Sequence, residues 1–344
     1  MTFIVRGCPL RRAPASVGPP VLDGERVSDR RVAWPLGTMD GTTRRPKHRR
    51  TGGPTLPIAH TRFTDVEYLD EGPRTGTPVV MVHGFPDHPG TWDGVVSLLP
   101  SGLRIIRPFL RGVGRSRVVA PEARSAQVAA LATDVLDLLR ELALGPVVLV
   151  GHDWGARAAH AVAALAPEAV SGLVTVATAY GPSSLLHGQE ALDEVSVAWY
   201  RYWLCTQAGA DAFRQDPEAL VRWAWKHWSP AITLSDGELA QVLRAVGTDD
   251  FADHVVHYYR HGTGEAPGVA VYAETQEFLD GWPRIPTPAT FLHGMDDGCE
   301  TPTLARANAP YFASGRHLIE VDETGHFLQR ENPQAVADAI SQYL

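Results

Sequence analysis

The stretch Pro146-Val147-Val148-Leu149-Val150-Gly151-His152-Asp153-Trp154-Gly155 decides how this 344-residue chain is read. An apolar run of strand character leads into it, and the alanine-rich stretch Ala156 to Ala166, of helical character, follows. Strand, Gly-x-Asp-x-Gly, helix is the pattern of a sharp turn that lifts one side chain above the sheet edge. Glycines flank such a turn because a Cβ there would collide with the neighbouring strand and helix. A serine in the raised position attacks acyl carbons. A carboxylate instead suits displacement at a saturated carbon, leaving an alkyl ester that water must then hydrolyse.

Outward from this turn, strand-like and helix-like runs alternate, as expected of a sheet wound with crossover helices. The expected strands are Ile58–Arg62, Val66–Leu69, Pro78–Val82, Leu103–Arg107, Pro146–Val150, Gly172–Val176, Ala289–His293 and His317–Val321. Helices are expected over Gly90–Leu99, Ala126–Leu142, from Thr303, and over Pro333–Leu344; Val128, Leu131, Val135, Leu138, Leu139 and Leu142 give the second its helical spacing. From Ala179 to about Pro286 the alternation lapses into helical patterns that hold six of the nine Trp and six of the nine Tyr. The expected organisation is a core over 56–178 and 287–344 with a helical lid over 179–286. An aromatic lid suits an apolar pocket.

Residues 1 to 52 carry eleven Lys or Arg and four acids, a net of +7. With −8 for the whole chain, residues 53 to 344 carry −15. The segment 1–55 reads as a basic, unpatterned and disordered extension, and Met39 is an alternative start. An acidic body is a poor match for nucleic acid. No run reaches the roughly 18 to 20 apolar residues of a membrane span, and no apolar stretch marks a secretory signal. Three widely spaced cysteines, Cys8, Cys205 and Cys299, suggest neither a disulfide framework nor a metal site. The expectation is a cytoplasmic protein without cofactor or metal.

Four further features fit the raised Asp153. His83-Gly84-Phe85-Pro86 follows the strand Pro78–Val82 and can aim the Phe85 N–H above it. With the Trp154 N–H at a helix N-terminus, that makes a two-donor oxyanion hole. Gly294-Met295-Asp296-Asp297-Gly298 offers a carboxylate at a strand end, Asp297 by preference and Asp296 as its rival. Thr324-Gly325-His326 offers an imidazole in the loop before the last helix. The fourth feature is a pair of tyrosines in the lid.

From about Ile58 to Leu344 the chain resembles the α/β-hydrolase fold, and within it the soluble epoxide hydrolases that use an aspartate nucleophile. The resemblance rests on His83-Gly84-Phe85-Pro86, Arg111-Gly112-Val113-Gly114-Arg115-Ser116, Gly151-His152-Asp153-Trp154-Gly155, the loop at Asp297, and Gly325-His326. Val113 departs from it, since an aromatic residue is usual there. The order nucleophile, acid, histidine is that of α/β-hydrolases. The resemblance implies a mostly parallel eight-stranded sheet with helices on both faces and an inserted lid. It implies Asp153, Asp297 and His326 as catalytic residues, with two tyrosines that hold the epoxide oxygen. Tyr200 matches the early one, with Tyr202 its rival; Tyr259 matches the late one, with Tyr258 its rival. Phe85, Trp154, Trp199 and Tyr202 are the expected pocket residues. The partners implied are a small apolar epoxide and water, and the oligomeric state is open. Two competing readings use the same chain: a haloalkane dehalogenase with the same triad, in which Trp154 would bind halide, and a non-catalytic small-molecule receptor.

Overall fold

The computed structural model describes residues 56–344; the expected extension over 1–55 lies outside the described residues. The strands are β1 (Ile58–His60), β2 (Thr64–Glu71), β3 (Pro78–Val82), β4 (Arg104–Pro108), β5 (Arg117–Val118), β6 (Val147–His152), β7 (Val170–Val176), β8 (Ala289–Gly294) and β9 (Arg316–Val321). Eight of them run in the order β1-β2-β4-β3-β6-β7-β8-β9, and the two-residue β5 pairs with β2 off this path. The pairs from β4 through β9 are parallel, while β2 pairs antiparallel with β1, β4 and β5. This is the mostly parallel sheet expected from the sequence. Two residues are too few to show alternation, which is why β5 has no counterpart among the expected strands.

The central strands read as continuous apolar runs because both faces of the sheet are covered. Alternate residues serve opposite layers. Val80, Val82 and Leu149 join one core cluster with Leu131 and Leu138 of α2 (Val128–Glu141) and Ala158 and Ala161 of α3 (Trp154–Leu165). Val79, Met81, Val148 and Val150 join the other with Val95 of α1 (Asp93–Leu98) and Val336 and Ile340 of α13 (Pro333–Ser341). The expected helix over Gly90–Leu99 is a short 3-10 turn, Pro89–Trp92, running into α1.

Seven helices intervene between β7 and β8: α4 (Gln189–Val197), α5 (Trp199–Cys205), α6 (Gln207–Gln215), α7 (Pro217–His227), α8 (Asp236–Val246), α9 (Phe251–Gly262) and α10 (Ala273–Asp280). Two short helices, α11 (Pro302–Ala307) and α12 (Leu328–Glu331), follow β8 and β9. A buried guanidinium ties this insert to α2. Arg111 pairs with Asp134 of α2 at 2.7 Å and donates to the Tyr272 hydroxyl at 3.2 Å and the Ser125 carbonyl at 2.6 Å. With partners on so many of its N–H groups, the buried charge is satisfied. Among the described residues, no helix is long and apolar enough to cross a membrane.

Strand register positions the chemistry. Val82 of β3, Gly151 of β6, Thr175 of β7, Phe291 of β8 and Leu318 of β9 stand in one row across the sheet. The loops carrying Gly84, Asp153 and Asp297 therefore leave the same carboxyl edge, the usual position of a site in open α/β sheets. The loop with His326 follows β9 over that edge.

Candidate active site

β6 ends at His152 and α3 begins at Trp154, so a single residue makes the turn between them. That residue, Asp153, has φ 51° and ψ −116°, a conformation that costs a side-chain-bearing residue about 1 to 3 kcal/mol. The cost is tolerated because the surroundings fix the turn. The Asp153 N–H donates to the Val176 carbonyl at 3.3 Å, and the Arg157 N–H donates back to the Asp153 carbonyl at 3.0 Å. Gly155 lies against the carbonyls of Val82 and His83, where a Cβ would overlap them.

The raised carboxylate is buried and held on both sides. The Phe85 N–H donates to Oδ1 at 2.8 Å. Only glycine fits before Phe85, since a Cβ on Gly84 would come within 2.6 Å of that same Oδ1. The other expected donor, Trp154, opens α3, but the Asp153 side chain makes no capping hydrogen bond to this helix.

On the Oδ2 side stands His326, fully buried, with Nε2 3.7 Å from Asp153 Oδ2. Its Nδ1 lies 2.9 Å from Asp297 Oδ2. The other Asp297 oxygen accepts the Cys299 N–H at 2.7 Å and the Glu300 N–H at 3.1 Å. Asp296, the rival, is exposed, and its N–H donates to the Thr324 carbonyl. The backbone of His326 is fixed as well: its N–H donates to the Trp228 carbonyl at 2.9 Å, and its carbonyl lies 3.0 Å from His152 Nε2. Burial opposes charge on the His326 imidazole, but Asp297, Cys299 and Asp153 hold it protonated well above its ordinary range. Burial likewise pushes the Asp153 and Asp297 carboxyls up, and the opposed imidazolium brings both below the ordinary value.

A cavity of about 620 Å³ opens over Asp153 and is lined by Trp154, Arg157, Tyr200, Tyr202, Tyr258 and Tyr259 among others. The Tyr200 and Tyr259 rings meet edge to face with centroids 5.5 Å apart. Tyr259 Oη accepts from the indole N–H of Trp154 at 3.3 Å. Tyr200 Oη accepts from Arg201 Nε at 3.2 Å and lies 3.2 Å from Cys299 Sγ. Burial pushes both phenols well above their ordinary pKa, so both stay protonated. Tyr258 stacks on Trp154 at 4.0 Å.

The structure thus brings Asp153, Asp297, His326, Tyr200, Tyr259 and Trp154 together, and it places two expected pocket residues off the cavity wall. Trp199 is 39% exposed and packs on Trp203 and Trp223 rather than lining the cavity. The Phe85 ring is buried between Trp154 and Phe251, at 5.4 and 5.9 Å, and contributes its backbone rather than a cavity wall. Tyr202 does line the cavity, at a half-exposed position. Three neighbours went unread in the sequence: Cys299, Arg157 and Arg201. Arg157 had a usable signal, standing four residues past Asp153 in the first turn of the helix that follows it.

Residues 77–333 match the family described as alpha/beta hydrolase fold. An epoxide hydrolase of Caballeronia sordidicola is 30% identical over 302 residues, spanning 78% of this chain and 88% of its own. Epoxide hydrolase A of Mycobacterium tuberculosis is 26% identical over 321 residues, spanning 85% of this chain and 98% of its own. A solved structure of a provisionally named epoxide hydrolase from Klebsiella pneumoniae superposes with a TM-score of 0.76 at 30% identity, covering 84% of this chain and 96% of that one.

Proposed function

The chain belongs to the α/β-hydrolase fold family and groups within it with epoxide hydrolases, and on that premise we propose that this hydrolase opens epoxides to vicinal diols through an ester on Asp153. The observation that carries the reading is the presence of two buried phenols, Tyr200 and Tyr259, on the wall of the cavity that Asp153 opens into. Epoxide opening needs an attacking carboxylate and donors for the departing oxygen, and that cavity has both.

Asp153 Oδ2 attacks a ring carbon, the C–O bond breaks, and the oxygen collects charge opposite Tyr200 and Tyr259 and takes a proton through them, which solvent restores to the phenol. Phenols donate strongly yet stay protonated at neutral pH, which suits an alkoxide leaving group. Water then attacks the ester at Cγ of Asp153. His326 Nε2 takes the water proton and Asp297 orients the imidazole through Nδ1. The tetrahedral intermediate places its charge on Oδ1, where the Phe85 N–H already donates, and collapses by breaking the Cγ–Oδ2 bond, the diol oxygen taking back the proton from His326. The insert over 179–286 supplies both phenols and acts as the lid.

The dehalogenase reading fares worse. Its halide would need the indole N–H of Trp154, and that group donates to Tyr259. The two readings separate by product: incubation with an aryl epoxide should yield diol, and incubation with a bromoalkane should release no bromide. Bromide release without diol formation would overturn the proposal. Failure of both reactions would favour the receptor reading.

A further inference from the structure

We propose that Asp153, Cys299 and His326 form a binding site for a borderline-soft divalent cation, Zn²⁺ in the first instance, that switches the enzyme off. A carboxylate oxygen, the thiol sulfur and an imidazole nitrogen of these three buried residues lie within 4.8 Å of one another. The Nε2 atom of His326 is buried with no hydrogen-bond partner, and it becomes a ligand once its proton is lost.

The donor set and spacing suit zinc. Zinc bonds of about 2.0 to 2.3 Å in a tetrahedron put donors roughly 3.3 to 3.8 Å apart. His326 Nε2 and Asp153 Oδ2 stand 3.7 Å apart. A thiolate and a carboxylate supply two negative charges for a divalent ion, with the imidazole neutral; the thiol proton and the Nε2 proton of the imidazolium both leave to solvent as the metal binds. The outer contacts are also in place. Asp297 Oδ2 lies 2.9 Å from His326 Nδ1, which fixes the tautomer that leaves Nε2 free to ligate, and Asp297 Oδ1 holds the Cys299 N–H at 2.7 Å. Asp153 faces the cavity, so an ion has a way in and a fourth position stays open. A hard ion such as Mg²⁺, which prefers an all-oxygen shell, has little use for this set.

Metal binding stands on this geometry alone. Its inhibitory consequence rests on the reaction proposed above, because the ion would occupy the nucleophile and the base together. Two measurements keep these apart. Without substrate, Co²⁺ added to the full-length protein should give a thiolate-to-cobalt charge-transfer band that Cys299→Ser removes. With an aryl epoxide, Zn²⁺ should suppress diol formation where the same concentration of Mg²⁺ does not. Cys299→Ser should raise the half-inhibiting Zn²⁺ concentration about tenfold or more, measured against that variant's own metal-free rate. Cys299→Ala serves as the second variant if the serine protein fails to fold. A wild-type protein without the cobalt band, or a folded Cys299 variant with wild-type Zn²⁺ sensitivity, overturns the site. A cobalt band in a protein that turns over no epoxide would refute the reaction and leave the site standing.

Discussion

The backbone N–H of Phe85 donates to Oδ1 of Asp153 at 2.8 Å, which makes the two carboxylate oxygens inequivalent before any substrate arrives. Oδ1 sits in a donor pocket shaped by Gly84, and Oδ2 faces His326. Under the proposed chemistry, Oδ2 is the attacking atom and Oδ1 becomes the ester carbonyl. Its oxyanion then forms where a donor is already aligned, so little reorganisation is needed at that step.

The inequivalence has an isotopic consequence. In a single turnover in labelled water, the first diol should carry unlabelled oxygen from Asp153 Oδ2, and the label should appear in the Asp153 peptide. Label in the first diol would rule out the ester. Asp153→Ala should lose several orders of magnitude in rate, as nucleophile deletions do.

His326→Gln should alkylate and then stop, because only the second half-reaction needs a general base. Mass spectrometry of the peptide containing Asp153 should show a trapped adduct with little diol released. Asp297→Asn should slow the same step, since Asp297 Oδ2 is the partner of His326 Nδ1. Asp296→Asn should stay near wild type, because its side chain is exposed. Inactivation by the Asp296 change beside a healthy Asp297→Asn would reassign the acid.

The imidazole should titrate differently before and after alkylation. Burial disfavours its charge, and Asp297, Cys299 and Asp153 outweigh that and raise its pKa. Esterification removes the Asp153 charge, so the pKa falls and Nε2 becomes a free base when water must be activated. Asp153→Asn mimics the neutral ester, and an NMR titration of His326 should show a lower pKa in that variant. An equal or higher value would contradict the coupling. The stability effects have opposite signs. With a raised folded pKa, His326 stabilises fully below its unfolded value of about 6.5 and loses that contribution as pH rises through the folded value. Asp297, lowered in the fold, stabilises above about 3.9 and loses that as pH falls through its folded value. Asp297→Asn should therefore lower the melting temperature more at neutral pH than in strong acid.

The turn at Asp153 and the sheet around it were legible because they rest on local rules. A valine-rich run, two glycines and an alanine-rich stretch constrain backbone geometry within a dozen residues, and the strand order of Asp153, Asp297 and His326 then places them on one edge. The insert was less legible. A helix shows its apolar face in sequence, but which aromatic on that face meets the cavity depends on how the helix is rotated against its neighbours. Trp199 and Tyr200 are adjacent in α5, yet one is 39% and the other 1% exposed. Cys299 gave no signal, since its place beside Tyr200 and His326 comes from the long-range fold of the Asp297 loop.

That rotation makes the two phenols the sharpest test. Tyr200 and Tyr259 reach the cavity from α5 and α9, and each Oη already accepts a hydrogen bond, from Arg201 Nε and from Trp154 Nε1. Accepting from these groups strengthens each hydroxyl as a donor to a substrate oxygen. If each bond is worth about 1.4 to 4 kcal/mol in the transition state, each Tyr→Phe change should slow alkylation by roughly 10- to 1,000-fold. Stopped-flow tryptophan fluorescence or rapid quench can read that step directly. The double Phe variant should be nearly inert towards epoxides while its triad still hydrolyses an ester formed beforehand. Hydrolysis of that ester should be spared because Phe keeps the ring that packs beside Trp228 and Phe85 and removes only the hydroxyl. If both single variants alkylate at the wild-type rate, the donors are elsewhere, and Tyr202 and Tyr258, which share the cavity wall, are the next to change.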